Sequence, residues 1–371
     1  MNPSSGKLPS PRQHVLDQAL TLHQEGRLGE ADALYRRILD AEPDNAPVLA
    51  LLGLVLLRRG RHEEAVARLT RAVALDPGQA PPFNNLGEAC RVLGRLEAAL
   101  DHFRKALALD PNADVVRSNL GQTLLALGRR DEAREQFRWL QERHPGNPEV
   151  LNSLGGSHFE VGELPEAVGL FRQALALDPD YAPAHFNLAN TLRRQGDPAG
   201  ALDHYARAIR SRPDLLAARF ERAQTLIALG RLDEAAEDLQ ALLSLQPSHP
   251  EALFHLGRLR LLQGRAAEGL ELYQSLLRLQ PDHLDAMTNL AGAFCALGRI
   301  DEGEALLLEV STRRPDCLET LFNLGAIALS QGRLAEAEQR FHQVLALQPD
   351  HAPALQQLAL CRPPAGDRWL H

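Results

Sequence analysis

An all-α fold is what this sequence predicts: a right-handed α-solenoid of about ten helical hairpins, long enough to wind into a superhelix. Three observations lead there. Ten prolines recur every 34 residues, at Pro43, Pro77, Pro111, Pro145, Pro179, Pro213, Pro247, Pro281, Pro315 and Pro349. Ten glycines keep the same step, each 17 residues before a proline, from Gly26 to Gly332. Between these markers, apolar residues fall three and four apart, the spacing of one helix face. In the third period they are Phe83, Leu86, Gly87, Cys90 and Leu93, then Leu96, Ala99, Leu100, Phe103, Ala106 and Leu107. A fixed period of this length denotes one supersecondary unit stacked against its neighbours, each burying the face that the next one offers.

Along the chain, residues 1–11 hold one lysine and no apolar run. They read as a disordered N-terminal tail and not as a secretory signal. Repeats then begin at 12, 46, 80, 114, 148, 182, 216, 250, 284 and 318, and the tenth ends at 351. In each, the first helix closes at the recurring glycine, which reaches the left-handed region without a Cβ penalty. The second helix ends before the recurring proline, which cannot continue it. Small residues recur at the eighth position (Ala19, Gly53, Gly87, Gly121 and onward) and at the twentieth (Ala31, Ala65, Ala99 and onward). A close helix crossing there leaves no room for larger side chains. The loop between helices mostly reads Gly-Arg-x-x-Glu-Ala, which sets an acid in the first turn of the second helix, where the helix dipole favours it. Residues 352–361 read as a half-repeat capping helix, and 362–371 as a C-terminal tail.

Composition narrows the function classes. A hydrophobic fraction of 44% supplies a continuous core, and aromatics at 5% leave most of it to Leu and Ala. No apolar run approaches the length of a transmembrane helix, so no membrane insertion is expected. The net charge of −8 argues against general attraction to nucleic acid or anionic lipid. Cys90, Cys295, Cys317 and Cys361 form no paired spacing and suit a reducing, cytoplasmic compartment.

These columns resemble the tetratricopeptide repeat (TPR). Its pattern of L-G, then A-x-x-x-F, then P is carried by Leu86-Gly87, Ala99…Phe103 and Pro111, and by Leu120-Gly121, Ala133…Phe137 and Pro145. The resemblance covers residues 12–351. It departs where Arg117, His185 and Arg219 replace an early aromatic and where Arg222 replaces a leucine; some loosening of stacking is expected there. The resemblance implies a concave groove, lined by the first helices, that takes peptide segments of partner proteins.

Asn85, Asn119, Asn187, Asn289 and Asn323 fall in one column of that implied groove. An amide offers both a donor and an acceptor, so a row of them suits a peptide main chain. The column is similar to the asparagine ladder of the O-linked N-acetylglucosamine transferase repeats, and related bacterial TPR proteins extend the likeness to a bacterial source. Ser153, Glu221 and His255 interrupt it. The alternative is that Asn merely fills a solvated helix face. Beside the column stand polar residues (Asn84, Glu88, Arg91, Ser118, Gln122, Asn152, Asn190 and Arg193), then Phe186, Phe220, Phe254 and Phe322 with Arg258. These would select partner side chains, or the aromatics would pack against the next repeat. Arginines between residues 193 and 222 read either as a salt-bridged solvated face or as a site for an acidic segment.

Chemistry finds no foothold. His249, His283, Cys317 and His351 share a column, but equivalent residues of stacked helices lie about 8–10 Å apart, too far to ligate one ion. No phosphate loop, nucleophile elbow or metal-binding spacing occurs, so no catalytic residue, metal or cofactor is assigned. With only Lys7 and Lys105 as lysines, the lysine clamp that related repeats use for terminal carboxylates is not expected. The reading is a non-catalytic interaction scaffold that binds peptide segments. Its alternative is the substrate-recruiting part of a glycosyl-, sulfo- or methyltransferase whose catalytic domain is absent or supplied by a transferase partner. Self-association through terminal repeats is a third.

Overall fold

The structure is a computed structural model and describes residues 11–361. Among these are 21 helices and no strand, arranged as a solenoid of antiparallel hairpins. They fall into two compact units that divide after Asp197. The first unit contains α1 (Pro11–Gln24), α2 (Leu28–Ala41), α3 (Ala46–Arg58), α4 (His62–Leu75), α5 (Ala80–Val92), α6 (Leu96–Leu109), α7 (Asp114–Ala126), α8 (Arg130–Arg143), α9 (Pro148–Val161), α10 (Leu164–Leu177) and α11 (Ala182–Arg194). The second contains α12 (Pro198–Ser211), α13 (Leu216–Ala228), α14 (Leu232–Leu245), α15 (Pro250–Leu262), α16 (Ala266–Leu279), α17 (Leu284–Ala296), α18 (Ile300–Arg313), α19 (Leu318–Ser330), α20 (Leu334–Leu347) and α21 (Ala352–Cys361). Pro11 already opens α1, a first-turn position where its missing N–H costs nothing. The tails read at residues 1–10 and 362–371 lie outside the described residues.

The ten recurring glycines all adopt positive φ, between 72° and 85°. At each turn the residue after the glycine reaches back across it: Arg61 N–H to Leu56 O and Arg95 N–H to Cys90 O, both 2.9 Å. That bond satisfies a carbonyl the helix end leaves open. The arginine of Gly-Arg-x-x-Glu then pairs with its own glutamate three residues on, as in Arg27–Glu30, Arg129–Glu132, Arg231–Glu234 and Arg299–Glu302. These exposed pairs hold the turn's geometry and add little stability singly.

The eighth-position glycines explain how closely the two helices meet. A Cβ on Gly87, Gly121 or Gly155 would lie 2.7 Å from the ring of Phe103, Phe137 or Phe171, and one on Gly325 would lie 2.8 Å from Phe341. All four rings are fully buried. Where the eighth residue is Ala223 or Ala291, the large residue sixteen positions on is Leu239 or Leu307, packed in the same core cluster. The pairing is not strict, since Gly53 faces Leu69 and Ala19 precedes the buried Tyr35 by the same sixteen residues; what holds throughout is a small residue at the eighth position.

At the departures each replacement has its own partner. Arg117 and Arg219 donate to the carbonyls of Pro111 and Pro213 at 3.0 and 3.3 Å, and His185 Nε2 to Pro179 O at 2.9 Å. Each thus ties the helix start to the proline six residues earlier. Arg117 also lies over the Trp139 ring, 3.9 Å from its centre. Arg222 pairs with the buried Asp238 at 2.6 Å.

A substitution pair isolates the close crossing. Gly156 lies in α9 with nothing within 4 Å of its Cβ position, so Gly156→Ala should raise stability by about 0.5–1 kcal/mol through helix propensity. Gly121→Ala should instead lower it by about 1–2 kcal/mol through overpacking against Phe137. Urea unfolding of the two variants measures both, and a shift of the same sign in each would refute the packing account.

Candidate peptide-binding face

The candidate residues lie on the first helices of the hairpins, and within each unit they share one face. Their states differ sharply. Asn119 Nδ2 donates to Asn84 Oδ1 of the preceding hairpin at 3.1 Å, and Asn187 Nδ2 to Asn152 Oδ1 at 2.9 Å. Asn85, Asn289 and Asn323 make no side-chain hydrogen bond among the described residues. The rule behind this is a register of 35 residues. Counting back from the free asparagines gives Ala50, Phe254 and Thr288, and none of these receives the amide.

Other candidates are also engaged internally. Glu88 and Arg91 form an ion pair, with bonds of 2.6 and 3.0 Å. Phe186, Asn190 and Arg193 each have partners. Arg258 is exposed, and no ion pair holds it among the described residues. Ser118 and Gln122 border a cavity of about 270 Å³ with Asn119 and Asn147, while Asn187 and Asn190 border one of about 480 Å³ with Gly156 and Phe159.

The aromatic column meets a histidine column that sequence reasoning weighed only for metals. Phe220, Phe254 and Phe322 lie 5.3, 5.3 and 5.5 Å, centre to centre, from His249, His283 and His351. Each of these imidazoles caps the next first helix, its Nδ1 accepting the N–H of Ala252, Ala286 or Ala354 at 3.1–3.2 Å. The signal was present in the sequence as His two positions past Pro. It was obscured because His is not a common N-cap residue. Among the described residues, no three His, Cys, Asp or Glu side chains gather as a metal site, and no helix is long and apolar enough to cross a membrane.

His255 occupies the ladder position of α15, between Phe220 and Phe254 at 5.9 and 5.7 Å. Burial lowers its pKa, helped by Arg258 and opposed by Glu251. Burial and Lys105 lower His102 against Asp101, and burial and Arg58 lower His23. The folded state thus favours neutral imidazole, and the unfolded chain binds more protons below about pH 6.5. The stabilisation is complete above that pH and is lost as the pH falls towards the lowered folded values. The urea midpoint should therefore drop between about pH 7.5 and about pH 5.5. His102→Leu/His255→Asn, with residues other repeats carry at those positions, should flatten that drop; an unchanged slope would exclude these two groups as its cause.

Residues 140–360 match the family model described as Cilia and flagella-associated protein 70 C-terminal domain, and residues 22–89 and 93–155 match a tetratricopeptide repeat model. The human IFIT1 dimer with m7Gppp-AAAA is similar over 90% of this chain and 80% of its own, at 19% identity and a TM-score of 0.54. The Cut9–Hcn1 hetero-tetramer of APC/C aligns over 96% of this chain and 97% of its own, at 14% identity and a TM-score of 0.45. MamA (41-end) from Desulfovibrio magneticus RS-1 aligns over 46% of this chain and 97% of its own, at 23% identity and a TM-score of 0.41. No curated protein matches the sequence. With the hairpin geometry, the family models and the fold shared with IFIT1 in agreement, the chain belongs to the tetratricopeptide-repeat family.

Proposed function

We infer that the protein is a non-catalytic, cytoplasmic scaffold whose first helices line a groove for peptide segments of partner proteins. On this reading ten 34-residue repeats span 12–351 and a half-repeat at 352–361 packs after them. The observation that carries it is the set of free amides, Asn85, Asn289 and Asn323, on a face whose other polar residues are largely engaged within the protein. A free amide supplies the donor and acceptor that a main chain needs, and partners that order on binding would be held with moderate, regulable affinity. Arg258, also exposed, adds a cation for an acidic side chain.

A second reading, self-association through the terminal half-repeat, has its own observation. Leu355 and Leu360 of α21 are 49% and 63% exposed, in a ten-residue helix whose polar side chains are Gln356 and Gln357. Concentration-dependent mass in light scattering would favour it. Recruitment for a transferase acting in trans would show as co-elution with such an enzyme at fixed stoichiometry.

The asparagines give the discriminating test. Asn85→Ala/Asn289→Ala/Asn323→Ala should leave the urea midpoint nearly unchanged yet lose partners captured from native lysate on the tagged chain. Asn119→Ala/Asn187→Ala should lower stability by about 1 kcal/mol per bond. Full retention of partners by the triple variant would remove the amides from the binding mechanism.

A further inference from the structure

One position in the first unit opens a pocket and frees an amide at the same time. The fifth residue of α3 is Ala50, where α5, α7 and α9 carry Asn84, Ser118 and Asn152 and where α13, α15 and α19 carry Phe. The missing bulk leaves a cavity of about 500 Å³ walled by Pro47, Leu51, Leu54, Pro81 and Pro82. The missing side-chain oxygen leaves Asn85, itself part of that wall, without the acceptor that Asn84 gives Asn119. A polar amide therefore stands unpaired beside an apolar space.

Charge gives the pocket a direction. Pro47, Ala50, Leu54 and Arg58 follow one another three and four residues apart along one face of α3, the spacing of helical neighbours. Arg58 is exposed and has no ion pair among the described residues. The charged group in the pocket wall is Asp76, which also accepts the Gly78 N–H at 3.2 Å. It caps the C-terminus of α4, four residues before α5 begins, and so lies towards the N-terminal ends of the first helices. From Pro47 to Arg58 the helix rises about 16 Å, roughly five residues of extended chain.

We propose that this pocket takes an extended peptide in one orientation. A large apolar side chain fills the space over Ala50, the main chain pairs with the Asn85 amide, and a carboxylate about three residues away meets Arg58. The opposite orientation sets that carboxylate against Asp76. The apolar contact supplies most of the affinity and the charge pair supplies direction. This assignment rests on the peptide-binding reading of the first-helix face.

The test pans a random dodecapeptide library displayed on phage against the full chain, then measures binding of the enriched sequence as a fluorescein-labelled synthetic peptide. Ala50→Phe fills the pocket with the residue α13, α15 and α19 hold at this position, and Ala50→Asn restores the acceptor for Asn85; circular dichroism confirms the fold of both. Enriched peptides should carry a large apolar residue with Asp or Glu about three positions away. Their dissociation constant should rise at least about tenfold with Ala50→Phe and about fivefold with Ala50→Asn. Arg58→Ala should weaken binding and reduce its salt dependence. Enriched peptides that bind all three variants as they bind the parent would overturn the pocket and leave the wider groove reading standing. Failure to enrich any peptide would overturn both.

Discussion

The approach of two helices at the eighth position of each hairpin is the constraint on which the rest depends. With hydrogen in place of Cβ at Gly87, Gly121, Gly155 and Gly325, the facing Phe ring occupies the space a Cβ would need and is removed from water entirely. Each such ring buries on the order of 150–250 Å², which at about 25 cal/mol per Å² is several kcal/mol per hairpin before entropy is counted. The hairpin so formed is thin. Residues such as Leu52, Val55 and Leu86 are buried in a core that runs through successive hairpins, and stacking is what makes that core continuous.

Stacking sets a second demand, because every joint must fix the start of the next first helix. The protein meets it with different chemistry along the chain. Asn45 and Asn147 cap α3 and α9 through their side-chain oxygens, whereas His249, His283 and His351 cap α15, α17 and α21 through an imidazole nitrogen braced by a Phe ring. Arg117, His185 and Arg219 hold proline carbonyls instead. Much of the polar and aromatic character on the first helices is therefore consumed by the joints. A recognition surface is what remains: amides without an acceptor, exposed arginines without a carboxylate, and gaps where a small residue replaces a larger one.

Most of the fold was legible in the sequence, and the site only as a column. The period, the hairpin, the turn glycines and the small-residue positions could be read because each is a local requirement imposed identically on every unit: a positive φ, a missing N–H, a contact sixteen residues away. A one-dimensional pattern with fixed spacing carries all of these. It also placed Asn85, Asn119, Asn187, Asn289 and Asn323 in a single register, and so on one face within each unit.

The sequence could not separate those asparagines from one another, since the state of each amide depends on the residue 35 positions earlier on a different helix. Asn84 engages Asn119 and Ala50 cannot engage Asn85, although both asparagines sit before a Leu-Gly pair. The same holds for Arg222, an apparent departure that Asp238 makes consistent, and for the histidines, whose role as caps appears only once each ring lies against its Phe. By itself, then, the sequence determined the unit, its closure and its repetition, because local geometry and fixed spacing suffice for these. Only the tertiary structure decided which polar groups are spent inside the protein and which stay open. Hydrogen bonds and ion pairs act over about 3 Å, and which groups come that close is settled when one hairpin packs on the next.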